Sequence, residues 1–316
     1  MNKEKLNTQV NNSDDIILSV QGLTKIFKSG IVNPDITVAA KDVSFNMEKG
    51  KVLSLIGESG SGKTTVGKLI LKLIKPSGGK IIYRGKDITE IKKKNELKDY
   101  YRKVQGIFQD PFASFNPLYR IDRAFDMIFD RFLTDEKNRR DKIEKVLSEV
   151  NLNPDRTLGK FPHQLSGGQL QRLLIARALL LDVDVLIADE LISMLDASTR
   201  IGVLNLLVEV CKKNGMTVIF ITHDLNLGYY ISDDTLIMYK GRLVERGDTK
   251  KIYENPIHPY TQMLFKAVPE IGDRWDRDEE FLPEQVVHEV GEFYKNNSGK
   301  GFVEVEENHS VLYSDD

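Results

Sequence analysis

At 316 residues the chain is longer than one compact core needs, so it holds one large domain or two ordinary ones. Hydrophobic residues make up 41% and charged residues 29%, a soluble globular balance, and a net charge of −2 gives no general electrostatic case for nucleic acid. The single cysteine, Cys211, excludes an intrachain disulfide and any cluster held by several thiolates.

Residues 1–15 are rich in Asn, Asp, Lys and Ser, lack an apolar signal segment, and read as a flexible tail. A strand is expected over 16–27, then an alternating segment, Val43-Ser44-Phe45-Asn46-Met47, closed by a turn at Glu48-Lys49-Gly50. Residues 52–56 form a short apolar run, as a buried strand does. A glycine-rich turn follows, then 65–74, where Val66, Leu69, Ile70 and Leu73 recur at helical spacing. The run Lys92-Lys93-Lys94 reads as a solvated face. Another strand is expected over 101–109, ending at Asp110-Pro111. Residues 112–164 change character, with a helical stretch at 141–149 and loops marked by Pro117, Pro154 and Pro162. A helix (167–181), a strand (185–188), a helix (199–213) and a strand (217–222) come next. Such alternation implies a mostly parallel sheet with helices packed on it. Cys211 falls in a mostly apolar helical stretch and reads as a core thiol, because no partner signature surrounds it. The longest apolar stretch, 173–188, is interrupted by Arg177, Asp182 and Asp184, so no membrane span is read and any membrane role must come through partner chains. A hairpin is expected at 235–245 and a helix from Tyr260 to Ala267; the tail from Pro269 is charged and weakly patterned.

Gly57-Glu58-Ser59-Gly60-Ser61-Gly62-Lys63-Thr64 fits G-x-x-x-x-G-K-[ST] between an expected strand and an expected helix. Glycines let backbone N–H groups approach phosphate oxygens, and the helix N-terminus adds partial positive charge. In such a loop Lys63 reaches the β- and γ-phosphates and Thr64 offers its hydroxyl to Mg²⁺, with Thr65 following in the nucleotide site. Residues 185–190 form an apolar strand ending in two carboxylates, Asp189 and Glu190. Ligand sites of open α/β sheets lie at strand carboxyl ends. There Asp189 would hold Mg²⁺ through water, and Glu190 would polarise an attacking water. The bland alternative is a strand-end charge beside a helix N-terminal charge; the phosphate loop favours the functional reading.

Leu165-Ser166-Gly167-Gly168-Gln169 opens a helix, where Ser166 is by itself a good N-cap. These five residues also match the signature of the ATP-binding cassette (ABC) family, which the chain resembles over most of 16–267. That resemblance implies an α/β fold of the P-loop NTPase class: a mostly parallel sheet core, an antiparallel β part and an inserted helical subdomain at about 112–178, with 268–316 as a C-terminal extension. It implies that Ser166 and nearby amides bind the γ-phosphate of ATP held by another subunit. Gln109 resembles the lid-region glutamine that senses Mg²⁺ and the transmembrane partner. Asp196, in Leu195-Asp196, resembles the loop crossing the dimer interface. His223 resembles the switch histidine contacting the γ-phosphate, although a lone His after a strand is more often structural. Phe27 sits where the family stacks adenine, with a core phenylalanine as the rival reading.

Within the family, residues 107–118, 163–172 and 255–267 resemble the peptide and nickel importer branch. The resemblance implies an ATPase coupled to uptake of oligopeptides, dipeptides or a related solute such as nickel or an oligosaccharide. It would act at the cytoplasmic face of the membrane. Its partners would be a second, non-identical cassette ATPase, two transmembrane permease subunits and an extracytoplasmic solute-binding protein, without nucleic acid. The cofactors are ATP and Mg²⁺. No iron–sulfur cluster is expected, because residues 269–316 lack the cysteines that many branch members carry there. Leu191 and Met194 stand where the family usually has Pro and often has Ala. The alternatives are a cassette acting on ribosomes or DNA, disfavoured by one phosphate loop and no sustained heptads, and a subunit of a soluble metabolic complex such as phosphonate breakdown.

Overall fold

The computed structural model describes residues 15–30, 35–267 and 283–314. The expected flexible tail at 1–15 lies almost wholly outside them. The chain begins with β1 (Ile16–Ser29) and β2 (Asp35–Glu48), long antiparallel strands joined in one four-stranded sheet with β4 (Gly78–Tyr83) and β5 (Lys86–Asp87), in the order β2-β1-β4-β5. Between them come β3 (Val52–Ile56) and α1 (Lys63–Ile70). Helix α1 starts at the phosphate-loop lysine and ends four residues before its expected limit, where Lys72 turns left-handed at φ 53°.

The strand expected over 101–109 is shorter than its composition suggests. Helix α2 (Lys94–Lys103) runs through the tyrosines, and β6 (Val104–Ile107) carries only the apolar end. Tertiary packing decides this: Tyr100 is buried and its hydroxyl donates to the Ile70 carbonyl at 2.6 Å, a contact that anchors the helical face. The lysine run is exposed, as a solvated face should be.

Helices α3 (Asp122–Phe132), α4 (Arg139–Glu149), α5 (Pro154–Thr157) and α6 (Gly167–Leu181) separate β6 from β7 (Val185–Asp189). They close on a core in which Phe125, Phe129, Leu147, Leu170 and Leu173 are all fully buried. Then follow α7 (Ala197–Asn214), β8 (Thr217–Thr222), α8 (Leu225–Ile231), β9 (Asp234–Tyr239), β10 (Arg242–Asp248), α9 (Thr249–Glu254) and α10 (Pro259–Lys266). Cys211 is buried in α7, where the apolar surroundings push its thiol up to about 12, consistent with an inert core residue.

The weak pattern of the tail conceals defined structure: α11 (Pro283–Asn296) and a hairpin, β11 (Phe302–Glu306) and β12 (His309–Leu312). The hairpin joins the main sheet, whose order is β11-β12-β10-β9-β3-β8-β7-β6. Strands β3, β6, β7, β8 and β9 are mutually parallel where they pair. Their buried, near-continuous apolar sequences are what a sheet covered on both faces requires. Among the described residues no helix is long and apolar enough to cross a membrane.

Candidate active site at the carboxyl edge of the parallel strands

Register aligns the candidate residues. Ile56 pairs with Thr222 across β3 and β8, Asp189 with Ile221 across β7 and β8, and Ile107 with Ala188 across β6 and β7. Gly57, Glu190, His223 and Gln109 therefore leave the sheet at the same edge, one or two residues beyond paired positions. This is the edge where α/β folds hold ligands.

The loop from Gly57 to Gly62 is tightly wedged. A Cβ on Gly57 would lie 2.2 Å from the Met238 carbonyl oxygen, and one on Gly62 would lie 2.1 Å from that of Ala39, at φ 105°. Only glycine fits either place. Ser59 and Gly60 form the turn, the Ser61 N–H donates to Glu58, and Thr64 and Thr65 continue into α1. The Lys63 ammonium donates to the carbonyls of Gly57 (2.6 Å) and Glu58 (2.7 Å). Burial pushes its pKa down, against the pull of Glu190, Asp189 and Glu58. The Thr64 hydroxyl donates to Asp189 Oδ1 at 3.2 Å. Burial pushes the Asp189 carboxyl up, opposed by that hydrogen bond and by Lys63, and reinforced by Glu190.

Glu190 adopts a left-handed φ of 49°, a strained value for a non-glycine residue, and its N–H donates to the Ile221 carbonyl at 2.9 Å. Its Oε1 lies 3.1 Å from His223 Nδ1. The two side chains line a cavity of about 90 Å³ with Ser193, Arg200, Thr222 and Asp224. The residues from β3, β7 and β8 thus converge. Gln109 lies at the same edge and is exposed. Phe27 is 41% exposed, with the Lys25 ammonium 4.9 Å from its ring centre, so it is not the core phenylalanine of the rival reading.

The signature segment stands on α6. Ser166 Oγ accepts the Gln169 N–H at 3.3 Å, and Gln169 Oε1 accepts the Ser166 N–H at 2.9 Å, a reciprocal capping box. Leu165 is buried beneath it. A Cβ on Gly168 would come within 2.5 Å of Thr199 Cγ2, and one on Gly167 within 3.2 Å of Leu195 Cδ2. The glycines let α6 seat closely on the start of α7. Asp196 caps α7, accepting from Thr199 N–H at 3.0 Å and Ser198 Oγ at 2.7 Å, which hold its carboxyl well below the usual range. Leu191 is fully buried, and Met194 is 59% exposed beside the interface-type loop.

Residues 40–193 match the family model described as ABC transporter, and residues 244–304 match the one described as oligopeptide/dipeptide transporter, C-terminal region. The oligopeptide transport ATP-binding protein OppF of Streptococcus pyogenes serotype M1 is 42% identical over 277 residues, spanning 87% of this chain and 88% of that protein. The chain belongs to the ABC transporter family. OppF of Bacillus subtilis (strain 168) is 38% identical over 294 residues, covering 91% and 94% of the two chains. The dipeptide transport ATP-binding protein DppF of Escherichia coli (strain K12) is 40% identical over 255 residues, covering 79% and 75%. Among solved structures, a dimeric ATP-binding cassette in a post-hydrolysis state bound to ADP and Pi superposes with a TM-score of 0.65 at 27% identity, over 74% of this chain and 99% of that one. The cassette cbiO1 from Clostridium perfringens, part of an ABC transporter complex, gives 0.65 at 26% identity, over 82% and 98%. This ABC protein accordingly binds ATP, and its hydrolysis is coupled to transport through membrane permease partners.

Two features of this cassette escaped the sequence reading. Arg200, on α7, donates to the Leu195 carbonyl at 2.7 Å and the Ser193 carbonyl at 3.0 Å, pinning the loop that leads to Asp196. Tyr260 reaches the phosphate loop from α10, its hydroxyl accepting the Glu58 N–H at 3.0 Å. Tyr260 lies in the segment that resembles the importer branch, but nothing local in that segment points to a loop 202 positions away.

Proposed function

We propose that this chain is the ATP-hydrolysing motor of an importer for oligopeptides or dipeptides, bound peripherally at the cytoplasmic face of the membrane. The convergence of Lys63, Thr64, Asp189, Glu190 and His223 at one sheet edge carries the catalytic part of this reading. The match of residues 244–304 to the oligopeptide/dipeptide C-terminal region, with the names of the relatives, supports the cargo class.

Residues 16–267 form the cassette, with a helical subdomain over about 112–178, and 268–316 extend it. The loop from Gly57 to Thr65 cradles the phosphates, and Lys63 leaves its loop carbonyls to meet them. Thr64 and Asp189 present two hard oxygens close together, which suits Mg²⁺, a cation that completes its shell with phosphates and waters. Mg²⁺, when bound there, offsets the negative charge on the transferred phosphoryl group; Gln109 stands at the same edge to sense it. Glu190 polarises the attacking water, and His223 orients Glu190 and contacts the γ-phosphate. Phe27 stacks on the adenine. Catalysis is then chiefly positioning and charge stabilisation.

Each site is shared between two cassettes. Leu165, Ser166, Gly167, Gly168 and Gln169 complete the site of a second, non-identical ATPase subunit, with Asp196 at the interface. Two permease subunits and an extracytoplasmic binding protein make up the remainder. The test is uptake of a labelled tetrapeptide in cells lacking the chain, complemented by wild type or Lys63→Ala, with identification of proteins that co-purify from membranes. Peptide uptake restored by wild type alone, with permeases recovered, is the expected result. Unaltered uptake together with recovery only in a soluble complex would favour the metabolic alternative.

A further inference from the structure

The Glu58 N–H and the Gly57 carbonyl belong to one peptide unit. A trans peptide is planar, so its N–H and C=O point in opposite directions and fixing one fixes the other. The Tyr260 hydroxyl accepts the N–H at 3.0 Å, while the Lys63 ammonium donates to the carbonyl at 2.6 Å. Tyr260 therefore holds the far end of the peptide on which Lys63 rests.

The tyrosine is itself firmly placed. It is 1% exposed, and its ring centre lies 4.3 Å from that of Tyr239, at the end of β9. Its N–H donates to His258 Nδ1 at 3.2 Å. Burial pushes the His258 pKa down to about 3, so the ring is neutral, and with Nδ1 accepting, the proton sits on Nε2. That nitrogen lies 3.2 Å from the Tyr294 hydroxyl on α11. The His258 and Ile257 N–H groups donate to the buried Glu245 carboxylate, which is also 2.7 Å from His309 Nε2 on β12. Val290 of α11 and Leu312 of β12 share one apolar core with Tyr260 and with Ile56, the last residue before the phosphate loop. A continuous set of contacts thus runs from the C-terminal helix and hairpin to the Gly57–Glu58 peptide.

We propose that Tyr260 is a positioning residue for nucleotide, through which the docked C-terminal segment sets the phosphate loop and so the affinity for ATP. The inference rests on the reading of Gly57–Thr65 as the ATP phosphate site. Without the hydroxyl, the Glu58 N–H loses its partner and the Gly57–Glu58 peptide is free to rotate, so the loop backbone and the Gly57 carbonyl on which Lys63 rests lose the fixed placement that phosphate binding requires. Chemistry after binding is left largely alone, because Tyr260 touches neither the attacking water nor Glu190.

The experiment measures binding of a fluorescent ATP analogue to the full-length chain with Mg²⁺, and KM and kcat for ATP in the assembled transporter. Tyr260→Phe keeps the ring on Tyr239 and removes only the hydroxyl. Affinity should fall and KM rise about fivefold, equivalent to about 1 kcal/mol, with kcat within about twofold of wild type. Tyr294→Phe, two contacts further out through His258, should shift KM in the same direction by about twofold, the smaller loss expected of an indirect contact, and it serves if Tyr260→Phe fails to fold. Lys63→Ala is the control. If Lys63→Ala abolishes binding while both tyrosine variants bind as wild type, the positioning role is overturned and the site reading stands. If Lys63→Ala also binds normally, the site reading itself falls. A Tyr260→Phe protein with a lower melting temperature and lower kcat but unchanged KM would show packing alone and overturn the inference.

Discussion

Glu190 Oε1 lies 3.1 Å from His223 Nδ1, although the two residues follow different strands and are separated by 33 positions. The contact exists because β7 and β8 are adjacent and parallel, so their last residues emerge together. It gives the carboxylate a fixed orientation in the wall of the cavity, and it follows a backbone turn at φ 49° that aims the side chain off the strand.

Replacing Glu190 by Gln keeps the size and the hydrogen bond to His223 but removes the negative charge proposed to polarise water. ATP binding should persist while turnover in the assembled complex falls by at least about tenfold, or ~1.4 kcal/mol of barrier. Near-normal steady-state turnover would remove Glu190 from its proposed role.

Ser166→Arg puts bulk and charge where the γ-phosphate of the opposing subunit is expected. Binding of nucleotide to this chain should change little, and hydrolysis at the partner's site should be suppressed. The measurement is turnover of complexes combining Ser166→Arg with a catalytic Glu→Gln change in one subunit at a time. The isolated wild-type chain should hydrolyse ATP poorly, since no phosphate loop then faces a proper signature; full turnover by a monomer would defeat the shared-site arrangement.

Gly62 and Gly60 both have positive φ, at 105° and 83°, but their surroundings differ. A Cβ at Gly62 strikes the Ala39 carbonyl at 2.1 Å, whereas one at Gly60 meets nothing within 4 Å. Gly62→Ala should destabilise the chain by about 2 kcal/mol or more and Gly60→Ala by about 1 kcal/mol, the cost of backbone strain alone. Urea unfolding of the two variants decides it: equal losses would mean that the steric wedge is not what demands glycine at 62.

His309 supplies a pH-dependent contribution. Burial alone pulls its pKa down, but hydrogen bonds and charge from Glu245 and Glu306 outweigh this and hold it above the ordinary 6.5. A raised folded-state pKa contributes stability that is complete below about pH 6.5 and is lost as pH rises through the raised value. His309→Gln should therefore cost about 3 kcal/mol near pH 6, because it leaves Glu245 buried without its charge partner, and less near pH 9. Thermal or urea unfolding at the two pH values tests this, and a gap that does not narrow with pH would contradict it.

Local chemistry made much of this protein legible in its sequence. The phosphate loop announces itself because glycine, lysine and threonine are needed at fixed offsets along one turn, and Val52–Ile56, Gly167–Leu181 and Thr217–Thr222 end where their apolar periodicity ends. Asp189-Glu190 was readable because the two carboxylates stand together at the end of one buried strand. Three other matters needed the tertiary structure. The length of β6 depended on where Tyr100 could be buried. The exposure of Phe27 depended on its place near the outer end of β1. The tail looked unpatterned because its partners are remote, as His309 meets Glu245 across 64 positions; the role of Tyr260, before the tail, was hidden in the same way, since it meets Glu58 across 202. Periodicity reports only which face of an element is apolar. Which distant hydroxyl or imidazole satisfies a buried polar group is settled when the sheet assembles and brings β12, β10 and the phosphate loop into one structure.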